Sequence, residues 1–197
     1  MNALEQLSDH IAQFSPKGFK LSTHQLEKFF SSKKLTRKQH LLTAGHPCHY
    51  LYFISKGCMR SYFINPKGTE QILNFGIENW WMTDYDNFSN QQISQLNIQA
   101  LEDSELLCLS RSNFDQLIEQ HPEINHYFRV ILEKRHTADQ RRMQYMFTLT
   151  AEEIYKHFAT KNTPFLQRVP QYMLASYLGM TPESLSKIRK KLMEEGS

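Results

Sequence analysis

The sequence predicts an α+β fold: a small antiparallel barrel or sandwich first, a long helix next, and a compact helical unit last. Three observations carry this. Between about residues 34 and 110, short β-rich runs alternate with Gly, Pro and Asn turns. From 123 to 149 no Gly or Pro interrupts the chain, and apolar residues recur at helical spacing. From Arg168 to Leu192, two short helical registers are separated by Gly179.

Leu4, Leu7, Ile11 and Phe14 place a first helix, which Pro16 and Gly18 end. Ser22 or Thr23 caps a second, with Leu26, Phe29 and Phe30 as its buried face. Strands are expected at 40–43, 50–55, 59–64, 71–75, 97–101 and 106–109. Ala44–Pro47, Lys56-Gly57 and Asn65–Gly68 punctuate them, the last as a hairpin turn. A strand cage of this size either encloses a small ligand or fills with side chains. Ser112 then caps a helix through Phe114, Leu117 and Ile118 that stops before Pro122.

The long helix spans about 122–149. Ile124, Tyr127, Phe128, Ile131 and Leu132 form an apolar face that Met143, Tyr145, Met146 and Leu149 resume. Between them, in Glu133–Arg142, only Ala138 is apolar. A helix with apolar faces at both ends needs a cover, and a second copy of itself is the economical one, which predicts a homodimer. Thr150-Ala-Glu-Glu153 caps a helix over about 151–161, ended by Thr163-Pro164. The boundary near Thr148–Thr150 divides the chain into units 1–148 and 149–197.

In the last unit Pro170 suits a helix start, and Leu174, Ala175 and Leu178 share one face. Gly179 tolerates the turn, Thr181 caps the next helix, Pro182 opens it, and Leu185, Ile188 and Leu192 face inward. A small Ala at the crossing, Gly four residues on, then apolar residues, is the pattern of a DNA-binding helix-turn-helix. Its second helix would enter a major groove. Ser184 and Lys187 are expected to read bases, and Glu183 to accept from a cytosine amine. Arg168, Gln171, Thr181, Lys190 and Lys191 are expected to hold phosphates. After Leu192 only Met193–Ser197 follows, too short for a β-hairpin wing, so either little or no wing is expected or the sequence stops short of one.

Composition sets bounds. The 197 residues are 40% hydrophobic and 22% charged with a net charge of +3, so DNA binding would depend on a local basic patch. Three cysteines, Cys48, Cys58 and Cys108, make no disulfide framework and too few thiolates for an iron–sulfur cluster; two of them are expected in strands. His46, Cys48, His49 and Cys58 are close in sequence but lack metal-site spacing, and no nucleophile–base pair or Gly-rich phosphate loop appears. No metal site and no enzyme are expected. The absence of a signal-peptide core and of a long apolar run predicts a cytoplasmic protein with no membrane partner.

Tyr50-Leu-Tyr-Phe-Ile-Ser-Lys-Gly57 resembles the strand and Gly turn of a cyclic-nucleotide-binding barrel, and Ile98–Arg111 its last strands leading into the closing helix. With Arg168–Leu192 behind them, nearly the whole chain resembles the CRP/FNR family of bacterial transcription regulators. That resemblance implies a β-roll sensor (a double-stranded β-helix), a long dimerisation helix and a DNA-reading unit, with double-stranded DNA, a second copy and RNA polymerase as partners. The chain departs from the family in the phosphate cassette. Thr83-Asp84 stands where Gly-Glu would be, Ser94-Gln95 where Arg and a small neighbour would be, and no Arg or Lys occurs between Gly76 and Asn97. A cyclic phosphate is an anion that Asp84 and Asp86 would repel, so cyclic AMP is not the expected effector. Trp80, Trp81, Tyr85 and Phe88 either fill the pocket or, with Asp84, Ser94 and Gln95, line it for an apolar or uncharged ligand. The alternative reading is a cyclic-nucleotide-binding-like signalling or interaction module without specific DNA binding.

Overall fold

The structure, a computed structural model, describes residues 2–195. It opens with α1 (Ala3–Phe14), where Asn2 and Glu5 form a reciprocal capping box, and α2 (Thr23–Glu27), where Ser22 and Gln25 do the same. Two four-stranded antiparallel sheets follow. One holds β1 (Phe30–Leu35), β8 (Ser104–Ser110), β3 (Tyr50–Lys56) and β6 (Trp81–Met82), in that order. The other holds β2 (His40–Leu42), β7 (Asn97–Ala100), β4 (Met59–Ile64) and β5 (Glu70–Gly76). Successive strands alternate between the sheets except at the β4–β5 hairpin, which stays within one sheet.

Register follows the apolar pattern. Leu51, Tyr52 and Phe53 pair with Leu109, Cys108 and Leu107, which keeps β3 and β8 buried together. Gly57 turns β3 into β4 at φ +106°, and a Cβ there would lie 2.2 Å from the Ser104 Oγ, so only glycine fits. Phe30 is the first residue of β1 and does not extend the face of α2, because α2 ends after a little over one turn. A short helix α3 (Tyr85–Asn90) interrupts the stretch between β6 and β7.

After the roll, Ser110 rather than Ser112 caps α4 (Arg111–Gln120), its hydroxyl accepting from the Asn113 amide at 3.1 Å. The long helix α5 (Ile124–Thr148) has 25 residues, roughly 37 Å at about 1.5 Å per residue. Its first turns are buried through Tyr127 and Phe128 against α1 and the roll. There Trp81 donates its indole N–H to the Tyr127 hydroxyl at 2.7 Å, and that hydroxyl lies 2.8 Å from His10 Nδ1. Indole can only donate, so the Tyr127 hydroxyl accepts from Trp81 and joins it to His10 in one chain of hydrogen bonds. Beyond Phe128 burial lapses: Met143 is 62% and Phe147 84% exposed.

The remaining chain forms α6 (Ala151–Lys161), α7 (Thr163–Arg168), α8 (Gln171–Leu178) and α9 (Pro182–Glu195). α7 is a turn of helix that the residues Thr163-Pro164 start rather than merely separate. The tail on which the wing expectation rests continues α9 through Glu195, and Gly196 and Ser197 lie outside the described residues. Helices α6 to α9 do not stand apart from the roll. Tyr62, Ile72 and Phe75 on the outer face of β4 and β5 share one buried cluster with Phe158, Phe165, Leu174 and Leu185. The Phe75 ring lies 5.3 Å from Tyr177 and 5.9 Å from Phe165.

Candidate functional sites

The helix-turn-helix is built locally. Gly179 closes α8 at φ +72°, and Thr181 caps α9 by accepting from the Ser184 amide at 3.1 Å. Ala175 is fully buried at the crossing with α9, where Leu185 is also fully buried. The opposite face of α9 is open. Glu183, Ser186, Lys187 and Lys190 are exposed on it, at helical spacing of three, four and seven residues.

Two residues depart from the expected set on this face. Ser184 is half-buried, whereas Ser186 is exposed and was not anticipated. At about 100° per residue, Ser186 stands nearer than Ser184 to the direction opposite Leu185, Ile188 and Leu192. That helical-wheel count was available in the sequence. Glu183 sits in the first turn, where its own backbone N–H and the Thr181 hydroxyl hold the carboxyl below its usual range. It therefore stays an acceptor.

The expected phosphate contacts are divided. Gln171 and Lys190 are exposed, and Lys190 has only a loose 3.9 Å approach to Glu194. Lys191 instead reaches back to Glu152 of α6 at 2.7 Å. Hydrogen bonds from Lys156 first and Lys191 second bring the Glu152 carboxyl down to about 2. Arg168 faces the roll: it bonds Glu78 at 2.8 and 2.9 Å and also pairs with Glu102. The reason is that α7 lays the end of its last turn against the loops after β5 and β7, which carry these carboxylates. In this arrangement Arg168 holds carboxylates, not the phosphate expected of it.

A cavity of about 900 Å³ opens between the roll and α5. Trp81, Asp84 and Tyr85 line it, as expected, together with residues not anticipated, among them Ser61, Asn74 and Thr83 from the roll. From α5 come Leu132, Met143 and Met146 and the cations Arg135 and Arg142. Trp80, Phe88, Ser94 and Gln95 are not lining residues. Trp80 packs edge-on to Phe165 at 5.7 Å, and Phe88 is core, 5.9 Å from Phe114. Ser94 is buried and donates to Asp84 at 2.6 Å, while Gln95 is exposed. The aromatic residues of the cassette thus do not close the pocket: Trp81 and Tyr85 line it, whereas Trp80 and Phe88 pack elsewhere. The α5 wall could not be anticipated, because its residues lie some fifty positions further along the chain.

The walls are mostly apolar with an uneven charge. Asp84 is buried at the roll end and accepts from Ser94 and from Asn87 at 2.8 Å. The two arginines that line the cavity are engaged, Arg135 with Asp139 at 3.3 Å and Arg142 with Tyr177. A cavity of this size and polarity suits a small amphipathic or apolar molecule.

The three thiols are dispersed and buried. Cys48 and Cys58 lie in the connections at opposite ends of β3, so of the two cysteines expected in strands only Cys108 is in one. Seven extended residues separate them, about 23 Å at about 3.3 Å per residue. Burial pushes Cys58 up to about 12 and Cys108 up to about 11. His46 and His49 are exposed, and no group of three or more potential ligands gathers among the described residues.

Residues 32–121 match the cyclic nucleotide-binding domain family. The chain is 25% identical over 186 residues to an anaerobic regulatory protein of Pasteurella multocida, covering 87% of this chain and 67% of that one. It is 27% identical over 176 residues to the fumarate and nitrate reduction regulatory protein of Vibrio cholerae, covering 83% and 70%. The chain as a whole is thus similar to regulators of the CRP/FNR family. Among solved structures, FixK2 from Bradyrhizobium japonicum superposes with a TM-score of 0.70 at 18% identity, covering 85% of this chain and 86% of that one. The fold shared with that structure thus extends over most of the chain. No helix among the described residues is long and apolar enough to cross a membrane.

Proposed function

We propose that this protein is a sequence-specific DNA-binding transcription regulator of CRP/FNR type that works in the cytoplasm as a homodimer, with units 1–148 and 149–197 as sensor and reader. The single observation that carries the reading is the open face of α9. Glu183, Ser186, Lys187 and Lys190 project together from a helix whose other side is buried by Leu185. Lys187 and Ser186 read base edges, Glu183 accepts from cytosine, and Lys190 and Gln171 hold phosphates. The dimer forms along α5, where Met143, Met146 and Phe147 are uncovered in one copy. Two α9 helices would then meet half-sites about 34 Å apart.

The effector is not cyclic AMP in this reading. Asp84 occupies the buried end of the cavity, and both cavity arginines already have partners. A small apolar or uncharged molecule fits the walls better. RNA polymerase is the protein on which such a regulator acts, by contact or by exclusion from a promoter.

The test is a mobility-shift measurement on random and selected DNA across salt concentrations, with sedimentation of the same sample. Salt-dependent binding by a dimer is expected. No shift at low salt would favour the alternative, an interaction module without DNA binding.

A further inference from the structure

Arg168 lies three residues before the start of α8, at the point where a helix-turn-helix approaches the DNA backbone. Its guanidinium is engaged by two carboxylates of the roll. Glu78 takes both Nη1 and Nη2, and Glu102 is bound as well. The carboxylates are themselves placed. Glu78 also accepts the Gly57 amide at 2.7 Å, in a turn where a side chain would clash with Ser104. Glu102 stands in the tight loop between β7 and β8, whose backbone carbonyl accepts from Ser104. Around this ionic centre the docking is continued by the Ser176 hydroxyl, which accepts from the Ile72 amide at 3.0 Å, and by Trp80 against Phe165.

A guanidinium offers a planar fork that fits a carboxylate or a phosphate, and it cannot serve both at once. We propose that Glu78 and Glu102 act as an internal substitute for DNA phosphate, holding Arg168 and restraining DNA binding until the reading unit is released from the roll. The inference rests on the DNA-binding reading above. Two carboxylates face one guanidinium, so the cluster carries a net negative charge where a phosphate would have to approach. By linkage, whatever weakens the carboxylate contact strengthens DNA binding by the same factor, because DNA must displace it. The roll that carries these carboxylates also carries the cavity, so the restraint lies between sensor and reader.

The test is a mutant cycle on the full chain: Glu78→Gln with Glu102→Gln, Arg168→Ala, and all three together, each compared with the unaltered protein on a cognate duplex over a range of salt. Glutamine keeps an acceptor for the Gly57 amide, and circular dichroism with thermal melting checks the fold. Removing the two charges is expected to raise affinity about tenfold at low salt and to steepen the salt slope by about one phosphate contact. In the Arg168→Ala background the same pair is expected to change affinity much less. Equal affinity with and without the glutamines overturns the restraint while leaving the DNA reading intact. An equal gain in both backgrounds also overturns it, since that is general loss of negative charge. If no version binds any DNA, the DNA reading itself falls and the restraint with it.

Discussion

The Arg142 guanidinium on α5 lies 4.4 Å from the centroid of the Tyr177 ring on α8, and it donates to the Tyr177 carbonyl at 3.4 Å. Arg142 also lines the cavity. Four residues on, Met146 lines the cavity too, and its methyl lies 2.9 Å from where a Cβ on Gly179 would be. One helix therefore touches the ligand space with the same residues that touch the helix-turn-helix. Arg142→Ala should cost about 0.5–1 kcal/mol in the docking of α8. Hydrogen exchange checks this: amides of α8 should exchange several times faster, with β3 and β8 unchanged.

The reading face gives a second expectation. Lys187→Ala should weaken binding to a cognate site by about 1–3 kcal/mol with little change on random DNA. Lys190→Ala should lower affinity for all sequences and flatten the salt dependence by about one contact. Ser186→Ala should relax discrimination at one base position, whereas Ser184→Ala should not. Competition shifts with single-base operator variants separate these outcomes.

The cavity yields a third. Trp81 lines it, and its indole N–H is tied to Tyr127. A ligand that enters should alter tryptophan emission and raise the melting temperature. Cyclic AMP at millimolar concentration should do neither, while apolar or uncharged amphipathic probes should do both. A cyclic-AMP-dependent melting shift would refute the assignment of Asp84 as the group that excludes it.

His10 sets a pH dependence. Burial first, and the nearby Lys134 charge second, lower its value from the ordinary 6.5 to about 4. The unfolded imidazole takes up a proton below about 6.5, while the folded one refuses it until about 4. Proton uptake in that window favours the unfolded chain, so stability is full above it and falls as pH drops through it. Urea midpoints measured from pH 7 to pH 4 should decline, and His10→Gln should flatten the decline.

Dimerisation through α5 predicts a fifth outcome. Phe147 is 84% exposed in one copy, so Phe147→Glu should leave the monomer fold intact. In sedimentation it should shift the protein toward monomer, and DNA affinity should fall steeply because two half-sites are no longer bound together. An unchanged sedimentation coefficient would place the dimer elsewhere.

Much of the fold was legible because its signals are local. Short β-rich runs bounded by turn residues marked β3, β4, β5 and β8 within a residue or two, and the Thr150, Thr181 and Gly179 caps marked the helices around them. β1 was missed because Phe30 reads equally well as a helix face, and Ser31–Lys34 carry no apolar alternation. β6 has two residues and owes its existence to pairing with Tyr52 and Phe53, which no window of sequence contains.

The candidate sites divide along the same line. Residue order alone specified the helix-turn-helix, because Ala175, Gly179, Thr181 and Leu185 act within a few turns of one another, through caps and a crossing that neighbours along the chain make. Three things needed the folded chain: the cavity, which Asp84 and Arg142 wall from opposite sides; the partners of Arg168, which come from 66 and 90 residues away; and the exposure that separates Ser186 from Ser184. A guanidinium bonds whatever anion the fold brings within reach, and its chemistry is the same for carboxylate and phosphate, so Arg168 could be read as cationic from the sequence but not assigned to its partner until distant loops were placed beside it.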